Sequence, residues 1–355
     1  MTRFRLLQLP SLALQVVLEF LDPFELFDLS QCSRKSAAIV PLGGTRQYKL
    51  SFFHDGVYID KYLFKAALEK HETLMGKRKL PLNNGKEIYV YVGRYCGYFN
   101  ERNFYFVDRN LGLKVILFHL VELFGCRVDS IAVSDPFSFG IYRSIIDWVI
   151  KKQKEIRRLV IGRFLNEYAV RWILDNLPIT NTCECAVQTS LNFEYKFKTY
   201  PRTLYIDFSH WFRLEDLFAA AKSCVVISLS ESRLNNKDID VFMKSWTSGD
   251  FPALRFFQVR SWNLNKRDQI LGRNPAEWWK PEADFSKDIE LDLDLILGRN
   301  PDQWWYDKKV VGRERIKIDS DLFGIDNGVK FQRDDGIEAK IEMNFSRYCF
   351  TLMVL

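Results

Sequence analysis

The sequence lacks the motifs that usually carry catalysis or metal binding. Its four histidines, His54, His71, His119 and His210, show neither metal-ligand nor catalytic-triad spacing. Cys183-Glu184-Cys185 is a single C-x-C with no second pair to complete a zinc site. No nucleotide-binding glycine loop, G-x-S-x-G or H-E-x-x-H motif is present. These absences argue against an enzyme, and they predict no catalytic residue, metal or cofactor.

Long apolar runs are also missing. No stretch approaches the ~18 consecutive apolar residues of a membrane span. Near the N-terminus, Gln8, Pro10, Gln15 and Glu19 interrupt the apolar core that a signal peptide needs. The seven cysteines form an odd, scattered set, which is typical of buried thiols in a reducing compartment. The sequence therefore predicts a protein of the cytoplasm or nucleus without membrane contact.

Charge is abundant but nearly balanced. The 51 Lys and Arg residues against 45 Asp and Glu residues give a net charge of +6, which does not by itself require nucleic acid. The densest basic run, at 151–158, ends a predicted helix, where the helix dipole favours cations. No aromatic side chains that could stack on bases are interleaved with it. These features argue against a nucleic-acid partner, and an RNA-binding protein is kept as the weaker alternative.

The first forty residues predict short helices. Leu14, Val17, Leu18 and Leu21 recur at helical spacing. Asp22-Pro23-Phe24-Glu25 then predicts a helix start, with Asp22 as N-cap, Pro23 at the first helical position and Glu25 completing a capping box. A unit of this size buries too little apolar area to be stable alone. It must pack either on the rest of the chain, as an ordinary helical cap, or on another protein.

The rest of the chain predicts a mixed α and β body. Residues 46–112 are rich in β-branched and aromatic residues, which favour strands. From 113 to 262, helix-like segments alternate with short apolar runs at intervals of about 20 to 30 residues. This alternation predicts an α/β repeat, a β/α solenoid similar to leucine-rich repeats.

The N-terminal segment resembles an F-box. The resemblance rests on residues 4–10 (FRLLQLP), Leu18, Leu21, and the stretches 23–26 and 29–34, while Ser36 stands where many F-boxes have Trp. An F-box binds the Skp adaptor of a cullin-based ubiquitin ligase. The resemblance implies that the adaptor-binding residues are Leu9, Pro10, Leu18, Leu21, Glu25 and Leu26.

A second resemblance lies further along the chain. Residues 204–217 (LYIDFSHWFRLEDL) and 234–256 are similar to the F-box associated domain, type 2, and residues 328–341 resemble the terminal hairpin of such proteins. Asp335-Gly336 is a favoured hairpin turn between two strand-like arms. The predicted organisation is therefore an F-box at 1–45, a β-rich connecting segment at 46–112, a β/α platform at 113–262, and a C-terminal part at 263–355 that ends in a β-hairpin.

One decapeptide occurs twice. ILGRNPAEWW at 270–279 and ILGRNPDQWW at 296–305 share eight of ten residues. Asn-Pro in each copy suits a helix start. Two interpretations remain open for Trp278, Trp279, Trp304 and Trp305. They either fill hydrophobic gaps or form exposed anchors for a target protein, since Trp is enriched at binding hot spots.

Together these features predict an adaptor rather than a catalyst. As the resemblance implies, the chain would be the substrate-recognition subunit of an SCF (Skp–cullin–F-box) ubiquitin ligase. Its partners would be a Skp adaptor and a target protein that the sequence does not name. No paired C-x-x-C motifs indicate a RING domain that could recruit a conjugating enzyme. The main alternative is a protein-interaction scaffold outside ubiquitination, with a leucine-rich-repeat-like fold.

Overall fold

The computed structural model describes most of the chain. The residues described are 6–53, 56–68, 78–81, 87–90, 100–106, 108–134, 139–278, 314–318, 321–325, 328–333 and 335–355. They form two compact units, Met1–Cys183 and Glu184–Leu355. This boundary falls inside the predicted 113–262 platform, and the four-part division given above stays a prediction.

The first unit begins with a helical segment. Its helices are α1 (Ser11–Glu19), α2 (Pro23–Ser30) and α3 (Arg34–Ile39), with short 3-10 turns at Leu6–Gln8, Val40–Gly43 and Thr45–Gln47. The predicted capping box starts α2: Asp22 Oδ1 accepts from the amides of Phe24 and Glu25, both at 2.8 Å. In return the Asp22 amide donates to Glu25 Oε2 at 2.9 Å. Local sequence signals thus set the start of α2.

A mixed sheet with helices follows in the same unit. Its elements are β1 (Lys49–Phe52), β2 (Gly56–Ile59), β3 (Tyr62–Leu68), β4 (Arg78–Pro81), β5 (Glu87–Val90), β6 (Asn100–Phe106), α4 (Arg109–Phe124), β7 (Arg127–Val133), α5 (Phe139–Lys152), β8 (Ile156–Ile161), α6 (Glu167–Asn176) and β9 (Ile179–Cys185). The strand order is β9-β8-β7-β1-β2-β3-β6, with β4 and β5 as a separate antiparallel pair. β1, β2 and β3 form an antiparallel meander, whereas β7 runs parallel to β1 and β8.

The second unit combines parallel β/α segments with antiparallel strands. Its elements are β10 (Thr203–Ile206), α7 (Leu214–Ala221), β11 (Val226–Leu229), α8 (Asn236–Thr247), β12 (Phe256–Arg260), β13 (Glu314–Ile318), β14 (Asp321–Ile325), β15 (Val329–Gln332), β16 (Glu338–Asn344) and β17 (Cys349–Val354), with a 3-10 turn at Pro275–Trp278. β10, β11 and β12 are parallel, and β12 then pairs antiparallel with β17. β17, β16 and β15 continue the sheet, with β15 and β16 joined by the turn at Asp335-Gly336.

Both faces of the second unit's sheet are covered. Phe257 packs on Phe242 of α8, with ring centroids 4.8 Å apart. Its neighbour Phe256 points to the opposite face and packs on Phe323 of the β13–β14 hairpin at 4.7 Å. All six residues of β17 are buried. The core therefore lies on both sides of the sheet, and function has to be sought on its edges and loops.

The structure agrees with the coarse sequence prediction. The expected alternation is present as α4–β7, α5–β8 and α6–β9, and again as α7–β11 and α8–β12. The chain thus has a small N-terminal helical segment followed by a mixed α/β body that ends in antiparallel strands.

Candidate functional site

Helix α1 exposes apolar side chains on its outer face. Leu12 is 74% exposed, Val16 46%, and Phe20, which follows as the C-cap, 84%. The spacing of four residues places these three side chains in one stripe along the helix. Leu14 and Leu18 turn inward and are buried. α1 is therefore apolar on its inner and its outer side, and we call Leu12, Val16 and Phe20 the outer stripe.

Further accessible apolar positions flank the outer stripe. Pro10 is exposed, and Leu9 and Leu21 are half-buried. The polar residues of α1 are confined to one narrow strip, Ser11, Gln15 and Glu19, where the Gln15 side chain donates to Glu19 at 2.9 Å. A helix with so little polar surface is normally buried on all sides. In this structure α1 presents apolar surface to solvent as well as to the interior.

The six predicted adaptor-binding residues have different positions. Leu9, Pro10 and Leu21 are accessible, whereas Leu18 and Leu26 have no exposed surface and build the interior of the helical segment. Glu25 is exposed but is used in the capping box of α2. Sequence reasoning missed the outer stripe. A signal for it was present, because the three polar residues of SLALQVVLEFL recur at every fourth position and so leave the rest of the helix surface apolar.

Arg102 of β6 fixes α2 to the rest of the first unit. Its guanidinium donates to both carboxylate oxygens of Asp28, at 2.8 and 3.0 Å, and to the Phe24 carbonyl at 3.2 Å. It also lies 4.6 Å from the centroid of the Phe24 ring. Arg102 is only 8% exposed. A two-point contact of this kind fixes orientation as well as distance.

An aromatic cluster surrounds this ion pair. Phe24 packs edge-on against Phe64 at 4.8 Å, and Phe27 packs against Phe64 and Phe104 at 5.7 and 5.5 Å. At Gly43 an added Cβ would lie only 3.0 Å from Leu18, so α1 approaches the backbone of the Val40–Gly43 turn as closely as glycine permits. The helical segment is thus packed into the first unit, while the outer stripe remains uncovered.

In the second unit, chemistry-bearing residues gather at one edge of the sheet. The carboxyl ends of the parallel strands β10, β11 and β12 lead into loops 207–213, 230–235 and 261–274. In open α/β sheets this edge is the usual site of ligand binding. The turn 345–348 between β16 and β17 lies at the same edge, because Arg260 at the end of β12 pairs with Cys349.

Buried serines hold neighbouring loops of this edge together. Ser209 Oγ donates to the Ser230 carbonyl at 2.8 Å, and Ser261 Oγ donates to the Ser232 carbonyl at 2.8 Å. Ser209 and Ser261 are 0% and 2% exposed, so each bond is shielded from water. The same arrangement therefore recurs from one strand end to the next.

Asn236 fixes the loop that follows β12. Its amide donates to the carbonyls of Asn265 and Asp268 at 2.9 and 2.8 Å, and its Oδ1 accepts the Asn265 amide at 2.9 Å. Asn236 has no exposed surface. Asn236 therefore ties the loop after β12 to the start of α8.

An exposed aromatic pair lies on these fixed loops. Trp262 is 69% exposed and Tyr348 39%, and their ring centroids are 4.7 Å apart. The indole nitrogen of Trp262 donates to Glu231 Oε2 at 3.2 Å. Tyr348 has a positive φ of 47°, so its side chain is presented from a constrained turn. We call Trp262 and Tyr348 the aromatic shelf; sequence reasoning did not single it out.

A pocket of about 490 Å³ opens at the same edge and shares the 233–234 loop with the shelf's supports. Phe193, Trp211 and Phe212 are its buried aromatic residues, and the rings of Phe193 and Trp211 lie 5.3 Å apart and edge-on. At the rim, Leu191 is 70% exposed, and Arg213 pairs with Glu194 at 2.6 Å. The pocket thus has buried aromatic residues in its wall and charged residues at its rim.

Comparisons with known proteins match these two regions separately. A family model for the F-box domain matches residues 6–41, and a model described as F-box associated matches residues 191–259. The chain combines an F-box with an F-box associated region. It is also similar to the Skn-1 dependent zygotic transcript 15 protein of Caenorhabditis elegans, with 20% identity over 275 residues, 71% of this chain and 78% of that protein. No solved structure matches the chain.

The matches cover the outer stripe and the pocket, but not the aromatic shelf. The F-box covers α1, α2 and α3 and therefore the outer stripe. Ser36, which replaces the Trp of many F-boxes, is buried, and its amide donates to the Ser33 cap of α3 at 3.0 Å. The F-box associated match begins at Leu191 and ends at Val259, so it contains the pocket, and Trp262 lies three residues beyond it.

The first copy of the decapeptide packs against the second unit. Trp278 has no exposed surface, its indole donates to the Ile270 carbonyl at 3.2 Å, and Arg273 lies 4.8 Å over its ring. Trp278 therefore fills a gap and does not face a target. Trp279 and the second copy with Trp304 and Trp305 lie outside the described residues.

The described residues offer little catalytic chemistry. Within them, no three His, Cys, Asp or Glu side chains are grouped to hold a metal ion. Burial raises the pKa of Cys126 and of Cys185 to about 11 and that of Cys224 to about 12, so these thiols are not nucleophiles at neutral pH. Of the helices that the structure describes, none is long and apolar enough to cross a membrane. His54, His71 and Cys96 lie outside the described residues.

Proposed function

We propose that this chain is the substrate-recognition subunit of an SCF ubiquitin ligase, acting without catalysis of its own. The observation that carries the proposal is the uncovered apolar surface of α1, which lies within the F-box match. The F-box would bind a Skp adaptor through Leu9, Pro10 and Leu21 together with the outer stripe. Leu18, Glu25 and Leu26 would shape that surface from within.

The mechanism is proximity. A target bound at the loop edge of the second unit would be held at high effective concentration beside the ubiquitin-loaded conjugating enzyme. The β/α alternation would serve as a leucine-rich-repeat-like platform that holds the recognition loops. A protein with these partners would work in the cytoplasm or nucleus.

The contribution of the outer stripe to adaptor binding can be estimated from the apolar surface that binding would bury. Burying one large apolar side chain contributes about 1.5–3 kcal/mol. Phe20 and Leu12, which are 84% and 74% exposed, have most of their surface still to bury. Removing both side chains should therefore weaken adaptor binding by well over tenfold.

The test is binding of purified full-length chain to a purified Skp adaptor. The double variant Leu12→Ala/Phe20→Ala should lose binding while its melting temperature stays within about a degree, because both side chains face solvent. Leu111→Ala is the matched control, since Leu111 of α4 is 54% exposed and lies outside the F-box match. The double variant Leu9→Ala/Pro10→Ala should also weaken binding.

Deleting residues 1–43 should abolish co-purification with the adaptor. The deletion would also remove Phe24 and Phe27 from the aromatic cluster, so the point variants give the cleaner result. A folded full-length chain that binds no adaptor would reject the proposal and favour a scaffold outside ubiquitination.

A further inference from the structure

The aromatic shelf differs from the other exposed apolar residues of the second unit because its support is fixed. The Glu231 carboxylate holds the edge of the Trp262 indole, Tyr348 packs against it, and the Ser261 amide donates to the Tyr348 carbonyl at 2.9 Å. Ser261 in turn bonds to the loop that carries Glu231. An aromatic side chain fixed before binding loses little conformational entropy on binding, which is a property of binding hot spots.

Basic side chains surround the shelf. Lys266 and Arg267 lie on the loop of Trp262, and Arg347 precedes Tyr348; all three are exposed. Lys266 Nζ lies 5.4 Å from the ring of Phe345, which places its loop against the turn of Tyr348. Two carboxylates lie on the same loops, where Glu231 accepts from Trp262 and Asp268 accepts from the side-chain amide of Asn265 at 3.0 Å, so the three basic side chains outnumber them. The shelf is therefore apolar at its centre and positive at its margin.

We propose that the aromatic shelf binds an acidic protein segment that places an apolar side chain against Trp262. The carboxylates of the segment would lie against Lys266, Arg267 and Arg347. The proposal deepens the proposed function, and it depends on that function only in that the bound protein would be the ligase target.

The same residue types could contact single-stranded RNA, but two features favour a protein. The Glu231 carboxylate at the indole edge repels any anion beside the ring, and RNA carries a phosphate at every nucleotide, whereas a protein segment can place a neutral residue there. The neighbouring pocket carries Glu194, Glu215 and Asp238 alongside Arg213 and Arg233, whereas a nucleic-acid groove is lined by cations along its length. A protein segment can direct its carboxylates to the basic margin and its apolar side chain to the ring.

Fluorescence anisotropy with defined probes tests the proposal on the full-length chain. The probe is a labelled nine-residue peptide of glutamates with a central Phe-Leu pair; its counterparts replace the glutamates with lysines or the Phe-Leu pair with glycines. The acidic Phe-Leu peptide should bind, both counterparts should bind at least about tenfold more weakly, and added salt should weaken the complex.

Variants then locate the site. Trp262→Ala should weaken peptide binding at least about tenfold, and the charge reversal Lys266→Glu/Arg347→Glu should do the same. Tyr168→Ala, which removes a 62% exposed aromatic side chain from the first unit, should bind like the unaltered chain. An unchanged affinity in Trp262→Ala, or tighter binding of a labelled oligouridine than of the acidic peptide, would overturn the proposal.

Adaptor binding separates this proposal from the previous one. Trp262→Ala should bind the Skp adaptor normally, and Leu12→Ala/Phe20→Ala should bind the peptide normally. If the unaltered chain does not bind the adaptor, the ligase role alone is rejected. If the unaltered chain does not prefer the acidic Phe-Leu peptide, the proposed binding by the aromatic shelf alone is rejected.

Discussion

Helix α1 and the loop edge of the second unit both expose large apolar side chains, but they are supported in different ways. The outer stripe projects from a regular helix, and the residues that contact a partner depend only on helical geometry. The aromatic shelf projects from loops, and Ser261, Asn236 and Glu231 fix it through side-chain hydrogen bonds. A helix can present the same stripe in many proteins, whereas a fixed loop surface can vary with each residue. The outer stripe would therefore suit a partner that many such proteins share, and the aromatic shelf a partner that differs from protein to protein.

The contrast is sharpest between two tryptophans of the second unit. Trp278 is fully buried and Trp262 is 69% exposed. Trp278→Ala should lower the free energy of unfolding by about 3–5 kcal/mol because it leaves a cavity. Trp262→Ala should lower it by less than about 1 kcal/mol. Denaturant unfolding followed by far-ultraviolet circular dichroism measures both, and equal losses would contradict the assignment of one to packing and the other to the surface.

The attachment of α2 can be tested through neighbouring ion pairs on β6. Arg102→Met removes both hydrogen bonds to Asp28 and should cost about 2 kcal/mol of stability. The cost stays below that of a fully buried pair, because the Asp28 side chain is 41% exposed and can hydrate. Lys65→Met is the control: it breaks the more exposed pair with Glu101, 3.2 Å long, and should cost less than about 1 kcal/mol. Similar losses of stability in both variants would contradict the conclusion that Arg102 fixes α2 to the first unit.

The smallest expected effect is a pH dependence of stability that comes from His119, which packs against α2. Burial lowers the pKa of His119, which packs on Phe27 of α2, while the nearby Glu122 carboxylate acts in the opposite direction. Above its ordinary pKa of 6.5 the imidazole is neutral in the folded and in the unfolded chain, so His119 does not make the free energy of unfolding depend on pH there. As the pH falls below that value, the unfolded chain binds a proton that the folded chain resists, so stability decreases. His119→Leu should flatten the stability profile between pH 7 and 5, and an unchanged slope would exclude His119 as its source.

Local signals in the sequence predicted much of the fold. Asp22, Pro23 and Glu25 predicted the start of α2 because capping depends on adjacent residues alone. The alternation of helices and strands was also readable, since each element has its own apolar pattern. The division between Cys183 and Glu184 was not, because it depends on the contacts between distant segments.

The candidate surfaces were harder to predict. Signature positions such as Leu18 and Leu26 show that an F-box is present but not which of its faces remains open, and both are buried. Trp262 has no motif around it. Its exposure depends on Glu231 and Tyr348, which are 31 residues before it and far along the chain after it. The repeated decapeptide drew attention to Trp278, yet which way that ring points is decided by Ile270, Arg273 and Phe331.

The attachment of α2 has a consequence for building chimaeric proteins from this F-box. Phe24 and Phe27 of the F-box pack against side chains of β3 and β6. Arg102 of β6, which lies far along the chain from the F-box, pairs with Asp28 beside them. A graft of residues 6–41 onto a foreign body would expose both rings and leave Asp28 without its cation. We therefore expect that transferring the proposed adaptor-binding surface to another protein requires the first compact unit, through Cys183.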